Sequence, residues 1–133
     1  MARVRNRLPV SARRGATAVE YALVLPALLL FVLGIMDGGR LLWTYTTIYR
    51  ATEAAARCAA VNTTACGTAT QIKNRAVAEA WGLKIGPAAF TVTMPACGVQ
   101  VHANYDFTFV IPGLGNIVPL GTVTLNATAC YPQ

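Results

Sequence analysis

The sequence predicts an α+β protein. A long N-terminal transmembrane helix continues as the spine of a small disulfide-tied domain with a short helix and a three-stranded antiparallel sheet. Three observations predict it. An apolar run from Ala22 to Met36 passes without a break into a stripe at helical spacing, Leu41, Tyr45, Ile48, Thr52, Ala55 and Ala59. Three later segments alternate apolar and polar residues with period two, as strands with one wet face do. Four cysteines, Cys58, Cys66, Cys97 and Cys130, all follow the apolar run.

Residues 1–15 form a basic leader, with Pro9 and no apolar periodicity to build an element. Arg3, Arg5, Arg7, Arg13 and Arg14 are five of the eleven cations in the chain, all ahead of Gly15. Beyond it six cations face five acids, a balance of +1, so most of the net charge of +6 lies in the leader. A nucleic-acid surface would carry its cations in the folded module. Basic residues ahead of a hydrophobic segment are instead a topology signal, setting the N-terminus in the cytoplasm and everything after Arg40 outside it. A secretory signal peptide would require a small-x-small motif after the apolar core, and Asp37-Gly38-Gly39-Arg40 fits that poorly.

One helix is expected from Ala16 to about Val61, with the span at residues 16–40 and its continuation at 41–61. The uncharged stretch Tyr21–Met36 is sixteen residues, short of the roughly 20 a bilayer needs. Ala16–Val19 complete the span if Glu20 is neutralised. Pro26 lacks an N–H and should leave the carbonyl of Ala22 unpaired. Ala18 with Ala22, and Gly34 with Gly38, are small-residue pairs one turn apart that permit close helix–helix approach in lipid. Trp43, Tyr45 and Tyr49 stand where an interfacial aromatic belt would be, or at the top of the domain core. Some 45 residues would make a helix of about 68 Å, over twice the hydrocarbon thickness, so its second half must be the spine of the exported domain.

In that domain, 41–133, Asn62–Gly67 reads as a polar loop. Thr68 to Gln71 matches a capping box and Gly82 is a stop, giving a short helix at 69–81. The sheet occupies 90–131, from Phe90–Met94, Val99–Phe109 and Thr122–Tyr131. Val110–Gly121, rich in Pro and Gly, reads as an extended connection. Four cysteines in an exported domain read as two disulfides, with three possible connectivities. Cys58–Cys66 would tie the end of the long helix to the start of the next. Cys97–Cys130 would join the start of one strand to the end of another. Parity objects to the second pair, since Cys97 shares the apolar face with Val99 and Cys130 the polar face with Thr128. A bulge at Gly98, or loss of strand character, would repair it.

Catalytic chemistry finds no constellation. His102 is the single histidine and lies on the polar face of a strand; Ser11, the only serine, is in the leader; Glu53, Glu79 and Asp106 fall in three different elements. The cysteine spacings, seven and thirty-two intervening residues, are not those of paired zinc ligands. The expectation is a protein that is no enzyme and takes no cofactor, metal, nucleic acid or small-molecule substrate.

Glu20 is the sharpest feature. An acid at the bilayer centre costs roughly 3 kcal/mol on insertion scales, less near the edge, and is a functional hypothesis by default. If the chain is cut after Gly15, the new α-amine of Ala16, with a reference pKa of about 8, lies one helical turn from it. This pattern resembles the class III leader of type IV pilin-like proteins. The stretch GATAVEYALVLPALLLFVLGIMDGGRLLW, with its Glu20-Tyr21 pair, resembles the TadE-like minor pilins of tight-adherence (Tad) pili. The resemblance is specific from about Arg14 to Trp43, looser to Cys58, and beyond it one of plan only.

It implies a prepilin in the bacterial inner membrane, N-terminus cytoplasmic and C-terminal domain periplasmic. A prepilin peptidase would cut between Gly15 and Ala16, with Glu20 and Tyr21 serving assembly. The partners implied are other pilins and the pilus assembly platform, and the function is assembly or priming of an adhesive pilus, with a place on the cell surface after assembly. The alternative is an uncleaved single-pass membrane protein with an exported binding domain.

Overall fold

A computed structural model describes residues 10–110 and 122–132, with side chains from Ala18 onward. The architecture is α+β. In chain order it contains α1 (Val10–Val61), α2 (Thr63–Cys66), α3 (Ala69–Glu79), a 3-10 turn (Pro87–Ala89), and strands β1 (Phe90–Thr93), β2 (Val99–Thr108) and β3 (Thr122–Tyr131). The chain divides into two compact units, Met1–Met36 and Asp37–Gln133.

In the first unit, α1 runs through Pro26, and its described residues expose apolar side chains on every side, among them Leu23, Leu25, Leu29, Phe31 and Ile35. A helix that is apolar all round and covered by nothing is suited to a solvent other than water. It is long and apolar enough to cross a membrane by length and composition. α1 begins at Val10, six residues ahead of the expected Ala16. Ser11-Ala12-Arg13-Arg14 contains no helix breaker, and extending an existing helix needs no new nucleus.

The second unit is built around the remainder of α1. Ile48, Ala51, Ala55 and Ala56 are fully buried, and Ala59 nearly so. They share one core with Ile72, Ala76 and Ala80 of the α3 region and with Phe90, Val99, Val101, Ala103, Phe107, Leu125 and Ala127 of the sheet. The buried face differs from the expected stripe at Tyr45, which is 43% exposed and stacks on Tyr49 at 6.5 Å. Thr44 and Thr47 are buried in its place. At helical spacing Thr44, Thr47, Ile48, Ala51 and Ala55 share one side of α1, and Tyr45 is turned off it. The hydroxyls of Thr47 and Thr52 donate to the carbonyls of Trp43 and Tyr49 (2.8 and 2.7 Å), so their burial leaves no polar group unpaired.

Asn62–Gly67 contains a one-turn helix where a loop was expected. The Asn62 side chain accepts the Ala65 N–H at 3.0 Å and caps it, and Cys66 is tied back to Cys58. The capping box of α3 forms: Thr68 Oγ1 accepts from Gln71 N, and Gln71 Oε1 accepts from Thr68 N at 3.1 Å. α3 stops at Glu79, two residues before the expected end. The N–H of Ala80 closes the last turn onto Ala76 and Val77, and the chain leaves through Gly82 at φ +81°.

The sheet is antiparallel in the order β1-β2-β3. Register pairs Phe90 with Ala103, Ala103 with Ala127 and Phe107 with Val123. The dry face carries Val99, Val101, Ala103 and Phe107; the other carries His102, Asn104 and Asp106. β2 stops at Thr108, one residue before the expected Phe109. Of the expected Val110–Gly121 connection, residues 111–121 lie outside those described. Cys97 stands in a turn ahead of β2, closed by the Gly98 N–H on the Pro95 carbonyl at 3.0 Å. Gly98 has φ +118°, so the pleat starts only at Val99 and the face on which Cys97 would fall no longer constrains its partner.

Candidate functional site

Gly15 and Ala16 lie within the backbone of α1. Glu20 and Tyr21 follow one turn later on the exposed apolar segment, with Tyr21 75% exposed. The structure joins Cys58 to Cys66 and Cys97 to Cys130, leaving no free thiol. The first pair bridges α1 and α2; the second fastens the turn before β2 to β3. His102 Nδ1 lies 2.7 Å from Thr128 Oγ1 and its Nε2 3.2 Å from Asn104 Oδ1, on the wet face of the sheet. Asp106 accepts from Thr124 Oγ1 at 2.7 Å on the same face. Among the described residues no group of three His, Cys, Asp or Glu side chains is placed to hold a metal ion.

Asp37 has a role that the sequence reading did not give it. It is the first residue of the second unit and is only 4% exposed. One carboxylate oxygen meets the Arg40 guanidinium at 2.7 Å, and the other accepts the Val110 N–H at 3.0 Å. The chain leaving β2 is thereby fastened to α1 across 73 residues of sequence. Arg40 also lies 5.3 Å above the Phe107 ring, whose neighbour Phe109 meets it edge-on at 5.3 Å. The Asp-x-x-Arg spacing of an i,i+3 pair was visible in the sequence; the third partner was not, because main-chain donors leave no mark in a sequence.

Two tryptophans far apart in sequence also meet. Trp43 of α1 and Trp81 beyond α3 are in edge contact, ring centroids 6.1 Å apart, both substantially exposed. Gly82 lies under the Trp43 ring, where a Cβ would approach to 2.8 Å. A cleft of about 230 Å³ beside them is lined by Arg40, Trp43, Lys84 and Phe107, among others. A larger open groove, about 510 Å³, runs between Tyr49, Arg50, Glu53 and Arg57 of α1 and Thr128–Tyr131 of β3. None of these places a nucleophile beside a base.

The fold and these features define a class: one helix with a segment fit to cross a membrane, an acid at that segment's start, and a small disulfide-tied α+β domain built on the same helix. Residues 15–57, about a third of the chain, match the model of the TadE-like protein family. Over that segment the chain is similar to TadE-like proteins of the Tad pilus system, a family of structural pilus components. Neither a curated protein nor a solved structure matches the chain.

Proposed function

We propose that this chain is a minor pilin, or pseudopilin, that takes part in assembling or priming a Tad-type pilus. The observation that carries the reading is the extent of the family match. It starts at Gly15, where the leader would end, takes in Glu20 and the whole apolar run, and stops at Arg57 on the domain's spine. The basic leader holds the N-terminus in the cytoplasm. The second unit, with its four paired cysteines, then lies in the oxidising periplasm. A prepilin peptidase removes residues 1–15, and the freed Ala16 amine and the Glu20 carboxylate neutralise one another within a subunit or between neighbours. Contact between neighbours recruits one subunit to the next.

Intact mass and N-terminal sequencing of the protein from its native host test this. The expected product begins at Ala16, and Gly15→Leu blocks its formation because a site shaped for glycine has no room for a branched side chain. A native chain beginning at Met1 would overturn the reading and favour the uncleaved membrane protein.

A further inference from the structure

We propose that the end of the second unit carrying Trp43, Trp81, Arg40 and Lys84 rests on the bilayer as an interfacial anchor for anionic phospholipid headgroups. This rests on reading α1 as a membrane span. Arg40 and Trp43 follow Met36, the last residue of the apolar run, by four and seven residues in the same helix, within about two turns. Val110, whose N–H is bonded to Asp37, brings an exposed side chain to the same end. Trp81 is 72% and Val110 65% exposed, leaving apolar side chains open at this end of the unit.

The chemistry of the patch selects its occupant. Tryptophan combines a large apolar ring with one N–H donor and concentrates at the headgroup level of membranes. Arg40 and Lys84 line the cleft beside Trp43. Arg40 sets its guanidinium over the Phe107 ring, pairs with Asp37 and keeps its side chain 49% exposed. The nearby acids are already engaged: Asp37 by Arg40 and Val110, Glu79 by Arg75 at 2.5 Å. With each of these acids matched by an arginine, Lys84 adds a positive charge to an aromatic surface, suited to anionic headgroups. Trp81 is delivered to it by α3, 38 positions beyond Trp43, and the close fit of Gly82 under the Trp43 ring holds the turn there.

The chain contains two tryptophans, so Trp43→Phe leaves Trp81 as the sole indole. The full-length protein is reconstituted into phosphatidylglycerol-containing vesicles whose acyl chains are brominated near the headgroup, with unbrominated vesicles as reference. Trp81 emission is expected to shift to the blue and to lose most of its intensity to the bromines. The unsubstituted protein, read in parallel, should be quenched as well, which guards against a turn displaced by the substitution.

A second variant, Trp43→Phe/Trp81→Phe/Leu29→Trp, read in vesicles brominated deep in the acyl chains, reports on the span itself. Trp81 unquenched by lipid and open to acrylamide, while the indole at position 29 is quenched, overturns the anchor and leaves the membrane reading standing. Neither indole quenched overturns both. Trp81 quenching equal in anionic and purely zwitterionic vesicles overturns the headgroup assignment, and Lys84→Gln is expected to reduce quenching in anionic vesicles alone.

Discussion

Glu20 and Asp37 stand at opposite ends of the apolar run of α1, one exposed and one buried. Burial separates their consequences. Asp37 satisfies an arginine and a main-chain donor inside the second unit. Hydrogen bonds to a charged group contribute roughly 1.5–3 kcal/mol, while a half-exposed arginine adds little beyond that. Asp37→Ala is therefore expected to lower the melting temperature of that unit, followed by circular dichroism in detergent, by about 4–8 °C per kcal/mol lost. Glu20 lies in the first unit, exposed at the start of the apolar run, so Glu20→Gln should leave the melt, the insertion and both disulfides unchanged. On the proposed reading that variant nevertheless fails to make pili; normal piliation, seen by electron microscopy, would show the acid to be incidental. Glu20 was legible because a charge in an apolar run stands out. Asp37 was not, because its partner Val110 contributes a main-chain group.

At the scale of elements, local rules carried far where the cause was local. Period-two alternation located β1, β2 and β3 to within a residue or so, and the Thr68–Gln71 pair announced α3. They failed where a neighbour decided. Spacing alone puts Tyr45 in the buried stripe, but the covered side of α1 runs through Thr44, Thr47 and Ile48 and leaves Tyr45 exposed. The short turn of α2 depends on Asn62 as a cap and on the tie to Cys58.

Gly98 shows the same dependence and gives a test with an internal control. Its φ of +118° is unfavourable for any side chain, and a Cβ would collide with the main chain of Tyr131 and Pro132. Gly86, at φ −103°, has nothing within 4 Å of such an atom. Gly98→Ala is expected to cost about 1–3 kcal/mol in backbone strain, with the collision adding to it. Gly86→Ala should be neutral or stabilising by about 0.4–1 kcal/mol. Equal denaturation midpoints for the two variants would refute the strain.

For the molecule as a whole, size bears on copy number. By family resemblance the major subunits of Tad pili are little more than the hydrophobic helix with a short tail. Here the second unit runs from Asp37 to Gln133 and packs two further helices and a sheet against the spine, far wider than a bare helix of about 10 Å. A filament spaced for bare helices would accept such a subunit mainly at an end or in a priming complex. Quantitative mass spectrometry of purified pili is expected to find this chain as a minor component, and its appearance as the most abundant one would overturn that expectation.

Chain neighbours and solvent preference account for the apolar segment of α1, the cap of α3 and the alternation of the strands. Tertiary structure decided what depends on residues distant in the chain. It turned Thr44 and Thr47 rather than Tyr45 inward, gave Asp37 a main-chain partner 73 residues away, and set Trp81 against Trp43. It also placed Cys97 in a turn where strand parity has no force. Periodicity records which side of an element avoids water. It carries no record of which other element will cover that side, and that choice is made only when helix and sheet compete to bury their surfaces together.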